Sequence, residues 1–489
     1  MISNLKKNFI FNLIYQILTL ILPLVTAPYI SRTLGSDAVG RFSYTYSVAM
    51  YFSMFITLGL NNYGNRTIAA NNGNKKNISK NFFEIYIMQL TMGLVVIACY
   101  IFYAAFIVKT DRTLALLQLL YVAGALFDIN WFFFGLEKFK LTVTRNVIIK
   151  FLTVAGTLLL VKNAGDIYVY TIVMGGGNFL SQIVLWQFLR KEICPVKISF
   201  KGIIGHFVPN LILFIPVIAV SLYKVMDKIM LGNLSTKSQV GFYEYSEKIV
   251  NILTCLITSL GTVMLPKISY LLANGEKTQV RNYISKSIRF SAFSSSAMAF
   301  GIAAVASQFA PFFYGNEFAP CGTLIAVMAS TIIFVSWANV IRTQYLIPVH
   351  EDKIYIISVV LGAVCNASIN WILIPKLGAL GATIGTVVAE FVVMLYQSIK
   401  VRRELPINKY FFNSLYYFGA GFVMYFIVVG VKAVLPFSLF ISMCIEVLVG
   451  TVVYLLLSYF YMRKYDMELL ETLLNSLVFL KIRRKNESN

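Results

Sequence analysis

The sequence is poor in charged residues. Asp, Glu, Lys and Arg make up only 13% of its 489 residues, while 58% are hydrophobic; soluble domains carry roughly 25% charged residues. Acidic residues are scarcer than basic ones, 21 against 42. These proportions exclude an ordinary soluble domain and indicate a polytopic membrane protein. The net charge of +21 is then explained by basic residues on the cytoplasmic side of a membrane, and no nucleic-acid partner is predicted.

The sequence also lacks the usual signatures of catalysis. Its six cysteines form no CxxC pair, so neither a metal site nor a disulfide framework is indicated. Gly275-Glu276-Lys277-Thr278 only looks like the end of a P-loop, because Tyr270 stands at the first glycine position. The two histidines, His206 and His350, are far apart and are interpreted as satisfied interfacial residues. We therefore predict no cofactor, no metal and no enzymatic activity, with a membrane polymerase or transferase as the enzyme alternative.

Long apolar runs dominate the rest of the chain. A membrane span needs about 20 mostly apolar residues, and the first run is too long for a signal-peptide core of ~7–15 residues. We predict an all-α, polytopic membrane protein of about fourteen transmembrane helices. The predicted spans are 8–30, 42–60, 83–108, 114–134, 146–161, 168–189, 207–231, 245–266, 288–313, 322–348, 354–374, 378–399, 411–431 and 437–461.

The basic residues of the connections predict the orientation. With the N-terminus in the cytoplasm, 29 Lys and Arg fall on the inner side and 8 on the outer side. Arg145 is among the 29, because it precedes the fifth predicted span. The remaining five lie inside spans: Lys150, Lys224, Lys228, Lys248 and Arg342. Since lysine and arginine concentrate on the cytoplasmic side, both termini are predicted to be cytoplasmic.

A short motif occurs twice. Leu34-Gly35 is followed by Gly40-Arg41-Phe42 after the first span, and Leu231-Gly232 is followed by Gly241-Phe242-Tyr243 after the seventh. A valine precedes the second glycine in both copies. The motif predicts an internal duplication with a unit of six spans. Transporters place substrate sites between such halves.

Charged residues inside spans are the candidate site. Lys224, Asp227 and Lys228 fall at i, i+3 and i+4, on one face of a helix. Two interpretations stay open: a structural ion pair near a helix end, or the lining of an internal cavity. The candidate substrate-binding residues, suited to a diphosphate or a sugar, are Lys150, Lys224, Asp227, Lys228, Arg342 and Gln344. The candidate ion-coupling residues, for protons or sodium, are Asp128, Glu244 and Glu390.

Several motifs together resemble one family. They are Pro28-Tyr29-Ile30-Ser31-Arg32-Thr33-Leu34-Gly35 with Gly40, Trp131-Phe132-Phe133-Phe134-Gly135-Leu136-Glu137, Asp227-Lys228-Ile229-Met230-Leu231-Gly232 with Val240-Gly241-Phe242-Tyr243, Arg342-Thr343-Gln344-Tyr345-Leu346-Ile347-Pro348, and Gly378-Ala379-Leu380-Gly381-Ala382. In this order, the set is similar to bacterial polysaccharide transporters. These are the O-antigen and capsular repeat-unit flippases of the multidrug/oligosaccharidyl-lipid/polysaccharide (MOP) superfamily.

The resemblance implies two six-helix lobes around a central cavity, assigned to residues 1–200 and 201–405. Two further helices and a basic tail follow in 406–489. It implies a multi-pass protein of the bacterial cytoplasmic membrane that moves an undecaprenyl-diphosphate-linked oligosaccharide outward by alternating access. The implied partners are this lipid-linked substrate, membrane lipids, a polysaccharide polymerase and an initiating glycosyltransferase.

Two alternatives share the architecture: an ion-coupled multidrug exporter and a lipid II flippase of peptidoglycan synthesis. The sugar, the coupling ion, the oligomeric state and the type of bacterial host do not follow from the sequence.

Overall fold

A computed structural model describes residues 2–71, 73–434 and 438–474. The side chains of residues 2–21, 216, 219, 220, 222–224 and 262 are outside the described set. All regular structure within the described ranges is helical. The prediction of an all-α polytopic membrane protein is confirmed at this level.

The chain divides into two compact units, Met1–Glu244 and Tyr245–Asn489. The helices that begin in the first unit are α1 (Ile2–Thr57), α2 (Leu60–Ala70), α3 (Lys75–Phe102), α4 (Arg112–Leu117), α5 (Leu119–Leu126), α6 (Asn130–Gly135), α7 (Phe139–Leu160), α8 (Ile167–Leu189), α9 (Phe200–Leu234) and α10 (Lys237–Ala273). Helix α10 continues into the second unit. A π-helical segment, Tyr103–Ile107, extends α3, and a 3₁₀ turn, Ala164–Asp166, precedes α8.

The second unit is also entirely helical in its described part. Its helices are α11 (Lys277–Tyr314), α12 (Pro320–Met328), α13 (Ser330–Ile341), α14 (Asp352–Leu377), α15 (Ala379–Val401), α16 (Ile407–Val434) and α17 (Leu439–Tyr465). A π-helical segment, Arg342–Leu346, extends α13, and a 3₁₀ turn, Asn316–Phe318, precedes α12. Helices α11, α13 and α16 pack together, and α14 packs along α15.

Eleven helices are long and apolar enough to cross a membrane, counted over the described residues. They coincide with eleven of the fourteen predicted spans. The other three predictions, 8–30, 42–60 and 207–231, fall on α1 and α9, which contain side chains outside the described set. A multi-pass membrane protein is therefore established, while the total of fourteen remains a prediction.

Helix α1 departs from the predicted boundary between the first two spans. The sequence predicts a connection between residues 30 and 42, but the helix continues through it with a kink at Gly35. Gly35 has φ 77° and ψ 175°, a conformation that residues with a Cβ rarely adopt. The kink changes the helix direction without a loop, because a single glycine supplies the unusual backbone angles.

The helices within each unit pack through buried aromatic residues and through small residues. Phe82, Trp131, Phe132 and Phe133 are fully buried in the first unit around α3 and α6. In the second unit, α11 buries Ser287, Ser291, Ser295 and Ala299 at four-residue spacing. Lipid tails are as apolar as leucine, so helices associate there through close packing, which small residues permit.

Candidate functional site

The junction of α9 and α10 gathers three of the predicted charged residues. Asp227 is 2% exposed, and its Oδ2 accepts a hydrogen bond from the hydroxyl of Tyr243 at 2.6 Å. Nζ of the neighbouring Lys228 lies 2.5 Å from Oε2 of Glu244. The sequence assigned Lys228 to substrate binding and Glu244 to ion coupling, whereas the structure pairs them. Charges at membrane depth are costly unless paired or facing water, and this pair neutralises both groups.

The other predicted residues are dispersed over the two units. Lys150 is partly buried on α7 in the first unit, and Glu390 is partly buried on α15 in the second. Arg342 and Gln344 also belong to the second unit. The side chain of Lys224 lies outside the described set. The proposed gathering of Lys150, Lys224, Lys228 and Arg342 around one diphosphate therefore stays a prediction.

Asp128 lies in a break between helices. The predicted span 114–134 consists of three short helices, and Asp128 is in the non-helical turn between α5 and α6. Its Oδ1 accepts hydrogen bonds from the backbone N–H of Asn130 at 2.9 Å and from Nδ2 of the same residue at 2.6 Å. The carboxylate therefore holds the first residue of α6 in place.

Asn130 links Asp128 to a buried arginine. Nη2 of Arg145 donates to Oδ1 of Asn130 at 2.8 Å, and Nη1 donates to the backbone carbonyl of Ser181. Nδ2 of Asn130 also donates to Oε1 of Gln182 at 3.0 Å. A buried cation and a carboxylate are thus joined through an asparagine, a polar network that ties α6 to α7 and α8.

Arg145 corrects one feature of the predicted topology. It is not in a loop but in the second turn of α7, and it is only 5% exposed. The sequence analysis missed it because the predicted span begins one residue later, at 146. The polar run Thr142, Arg145 and Asn146, at helical spacing before an apolar stretch, was the available signal.

The two copies of the glycine motif contact each other within the first unit. A Cβ on Gly40 would lie 1.7 Å from the carbonyl oxygen of Lys237. A Cβ on Gly241 would lie 2.4 Å from the carbonyl oxygen of Ser36. Both separations are far below any real Cβ contact, so only glycine permits α1 and α10 to approach this closely.

Tyr44 extends the same contact. Its ring packs on Gly232, where a Cβ would lie 2.1 Å from a ring carbon. Its hydroxyl donates to Oδ1 of Asn233 at 2.7 Å, and Nζ of Lys237 lies 3.3 Å from the ring centre. Cation–π attraction and a hydrogen bond therefore reinforce the contact between α1 and the α9–α10 turn.

Arg342 and its surroundings form the polar region of the second unit. Nη1 of Arg342 lies 3.4 Å from the hydroxyl of Tyr355, and the guanidinium carbon lies 5.3 Å from the centre of the same ring. Arg342 begins the π-helical segment Arg342–Leu346. Such segments within helices frequently occur at functional sites.

Gln344 is fully buried in this segment, and neither of its amide atoms has a hydrogen-bond partner among the described residues. The side-chain oxygen of Asn339, one turn earlier, also lacks a partner there. A Cβ on Gly261 of α10 would lie 2.4 Å from this oxygen and 2.6 Å from the hydroxyl of Thr343. An unsatisfied buried polar group costs ~1–3 kcal/mol, so an additional hydrogen-bonding partner at Gln344 and Asn339 would stabilise this region.

Among the described residues, neither a metal-ligand cluster nor the cavity of the second unit involves the predicted site residues. Within residues 2–71, 73–434 and 438–474, no group of three His, Cys, Asp or Glu side chains could hold a metal ion. A cavity of about 480 Å³ in the second unit is lined by residues such as Leu265, Leu272 and Ile347. Its lining includes none of the predicted site residues, which lie elsewhere.

Comparisons with known proteins identify the family of the chain and its fold. The family model described as a polysaccharide biosynthesis protein matches residues 5–272, more than half of the chain. A Shigella dysenteriae protein named as a candidate O-antigen transporter is 23% identical over 80% of this chain and 98% of its own length. An Escherichia coli K12 protein with the same name is 24% identical over 54% of this chain and 65% of its own length.

The fold also resembles a solved structure. A lipid II flippase in an inward closed conformation superposes with a TM-score of 0.77, covering 93% of this chain and 99% of that one, at 14% identity. This likeness concerns the fold alone. Together with the multi-pass helical architecture, the family match shows that the chain belongs to the polysaccharide biosynthesis protein family, a family of membrane transporters rather than enzymes.

Proposed function

We propose that the protein is a flippase that moves an undecaprenyl-diphosphate-linked oligosaccharide from the inner to the outer leaflet. The product would serve the synthesis of a surface polysaccharide, such as a capsule, an exopolysaccharide or an O-antigen. The observation that carries the proposal is the buried polar region around Arg342 and Gln344, inside the candidate span Pro320–Leu346. A sugar-diphosphate head cannot cross hydrocarbon unaided, and polar residues at membrane depth normally face a hydrated or protein-lined path.

The chemistry of this region fits a glycosylated diphosphate. A guanidinium donates paired hydrogen bonds to phosphate oxygens. The amide of Gln344 and the side-chain oxygen of Asn339 have no hydrogen-bond partner among the described residues and can exchange hydrogen bonds with sugar hydroxyls. Tyr355, beside Arg342, adds an aromatic surface. The region therefore offers separate groups for the phosphate and for the sugar.

The glycine contact supports an alternating-access mechanism. Arg32, Arg41 and Lys237 are predicted on the outer side, and Gly40 of α1 lies directly against the backbone carbonyl of Lys237 on α10. We infer that this contact closes the outer ends of these helices in one state and separates in the other. Such a gate suits two parallel repeats that rock against each other.

The finer architecture belongs to the same proposal. It comprises fourteen spans with both termini in the bacterial cytoplasm, lobes at 1–200 and 201–405 around a central cavity, and two extra helices in 406–489. Partners in the pathway would be the initiating glycosyltransferase and the polymerase, together with membrane lipids.

The multidrug-exporter alternative needs carboxylates available to an ion or a cationic drug. Asp128 accepts hydrogen bonds from Asn130, and Glu244 pairs with Lys228. These contacts favour structural roles for both carboxylates. The lipid II flippase alternative shares the fold and is separated by whether loss of the gene is lethal.

The test compares R342A and Q344L with R403A, which removes the same charge as R342A from an exposed position just after α15. Each gene restores a deletion strain at matched protein level. We expect R342A and Q344L to accumulate undecaprenyl-diphosphate oligosaccharide in the inner leaflet. Surface polysaccharide should fall at least tenfold, whereas R403A should behave as the wild type.

Accumulation is measured by extracting lipid-linked sugars from spheroplasts and labelling them with a probe restricted to the outer leaflet. Unchanged lipid intermediates in the deletion strain, with increased sensitivity to cationic dyes, would overturn the proposal in favour of an exporter. Normal polysaccharide in R342A and Q344L would remove the Arg342 region from the substrate path.

A further inference from the structure

The side chains of Glu84, His206 and Tyr63 contact one another in sequence within the first unit. Oε2 of Glu84 lies 3.5 Å from Nε2 of His206. The other ring nitrogen, Nδ1, lies 2.7 Å from the hydroxyl oxygen of Tyr63. The three residues come from α3, α9 and α2, and the side chains of Glu84 and His206 are 4% and 12% exposed. The two ring nitrogens of His206 thus connect α9 to α3 and to α2.

Glu84 also anchors the start of α9. Its Oε1 accepts hydrogen bonds from the backbone N–H of Ser199 at 3.2 Å and from the Ser199 hydroxyl at 3.4 Å. The Ser199 hydroxyl oxygen in turn accepts from the N–H of Gly202 at 3.0 Å, as the N-cap of α9. A Cβ on Gly202 would lie 2.2 Å from Oε1 of Glu84. The positive end of the helix dipole therefore faces the carboxyl group of Glu84.

The ring of His206 can satisfy both neighbours in two protonation states. A neutral imidazole has one donor and one acceptor. It can donate from Nε2 to Glu84 and accept the Tyr63 proton at Nδ1. A protonated ring donates from both nitrogens, and the Tyr63 hydroxyl must then turn and become an acceptor. Protonation turns the contact with Glu84 into an ion pair, but it also places a cation in a buried site within the field of Lys80.

The charged groups around the ring act in opposite directions. Lys80 and Glu84 face it from α3, and Tyr63 faces it from α2. The pKa of His206 is lowered from its ordinary value, because burial outweighs the opposing effect of Glu84, and Lys80 lowers it further. His206 lies just outside the predicted span 207–231. An imidazole titrates within the physiological range, so these opposing influences act where cellular pH varies.

We propose that Glu84, His206 and Tyr63 form a proton-binding site that controls how firmly the N-terminus of α9 is held against α2 and α3. With the ring neutral, Glu84 and Tyr63 are both satisfied and the first turn of α9 is held closed. A proton is bound less readily in this buried contact than in water, so protonation favours opening of the first turn of α9. Because α9 continues to Asp227 and Lys228, the site lies at the start of the helix that carries predicted substrate residues.

The number of histidines makes a direct test possible. The chain has only two, so H350Q leaves His206 as the single imidazole of the full-length protein. Its titration is followed by imidazole NMR in nanodiscs between pH 5 and pH 9. In the H350Q background, we expect E84Q to lower the pKa of His206 by about one unit, because an opposite charge is lost. K80Q, at an exposed position, should raise it.

A second measurement follows the anchor itself. Hydrogen exchange of the backbone at 199–206, corrected for the intrinsic effect of pH, should be severalfold faster at pH 5 than at pH 8 in H350Q. The difference should disappear in H206Q and shrink in E84Q, in which the pKa of His206 is lower. If E84Q fails to fold, K80Q still tests the proposal, because Lys80 is exposed and its substitution should leave the fold intact.

Three results would overturn the proposal. They are a His206 imidazole that does not titrate in this range, a titration unmoved by K80Q, or the same pH-dependent protection in H206Q as in H350Q. None of these measurements needs a lipid-linked substrate. Their outcome is therefore independent of the proposed flippase activity.

Discussion

Buried charges in this protein find hydrogen-bond or ion-pair partners on other helices. Arg145 reaches Asn130 and Ser181 on two other helices, and Lys228 pairs with Glu244 on the next helix. An unpaired charge at membrane depth costs at least ~2.5–3.5 kcal/mol on insertion scales. At the scale of single residues, these pairings are what permit charged side chains inside apolar spans.

The network around Arg145 leads to a stability prediction. R145A should lower the free energy of unfolding by ~3 kcal/mol, because it leaves the side-chain oxygen of Asn130 and the carbonyl of Ser181 buried without their donor. R145K should recover part of the loss. The measurement is the thermal midpoint of the purified protein in detergent.

The control is R190A at the end of α8, where the arginine is exposed. It should change stability by less than ~0.5 kcal/mol, as exposed substitutions usually do. Equal midpoints for R145A and R190A would show that the buried network contributes nothing to stability.

At the scale of helices, glycine sets the closest approaches. Gly35 kinks α1 with a positive φ, and Gly40 and Gly241 let α1 and α10 meet through their backbones. Close contact between helices replaces the hydrophobic driving force that is missing within lipid. The same motif thus bends one helix and joins it to another.

Alanine at Gly40 and alanine at Gly176 should affect the stability of the protein differently. G40A should destabilise the protein by ~1–3 kcal/mol, because overpacking forces the backbones apart. G176A on α8 adds the same methyl group where nothing lies within 4 Å. It should be neutral or stabilise by up to ~1 kcal/mol, since alanine favours helix.

Thermal midpoints in detergent check both variants against the wild type. A G40A protein as stable as G176A would mean that α1 and α10 separate at no cost, and the proposed outer gate would lose its support. Flipping assays on the same pair then report whether the contact must form during transport.

At the scale of the molecule, other helices of the second unit hold the short helical stretch 467–474 that follows α17. Arg289 of α11 pairs with Asp466 and with Glu468, the latter at 3.0 Å, and Lys286 lies 2.7 Å from Glu468. The hydroxyl of Tyr417 on α16 also donates to Asp466, at 3.2 Å. These contacts join α11, α16 and the residues after α17.

The two carboxylates respond to pH in opposite ways. The hydrogen bond from Lys286 lowers the pKa of Glu468, while burial raises the pKa of Asp466. A lowered pKa means that Glu468 stabilises the fold above its unfolded pKa of about 4.3. That stability is lost as the pH falls through the lower folded value. Asp466 favours the fold only when protonated, so its contribution is lost as the pH rises.

We therefore expect E468Q to melt below the wild type at pH 7 and the difference to shrink below about pH 4.3. Glu468 is 54% exposed, so solvent screening limits the effect to ~0.5 kcal/mol. E471Q, an exposed acid on the same segment, is the charge-matched control and should not depend on pH in this way. A constant E468Q difference from pH 7 to pH 4 would contradict the role of the ion pair.

The sequence by itself determined the class of the molecule. Low charge and long apolar runs are properties of short windows, and a span depends on such a window rather than on distant contacts. Eleven helices therefore coincide with predicted spans. The glycine motifs and the polar stretch Arg342–Leu346 were also recognisable, because each lies within a few consecutive residues.

Only the tertiary structure decided which charged and polar residues meet. Glu84 and His206 are 122 positions apart, and nothing local to either predicts their contact. Likewise, the burial of Arg145 depends on contacts with α6 and α8, and Lys228 of α9 is neutralised by Glu244 of α10. The physical reason is that a charge inside a membrane needs a partner, but helix packing chooses which partner it finds.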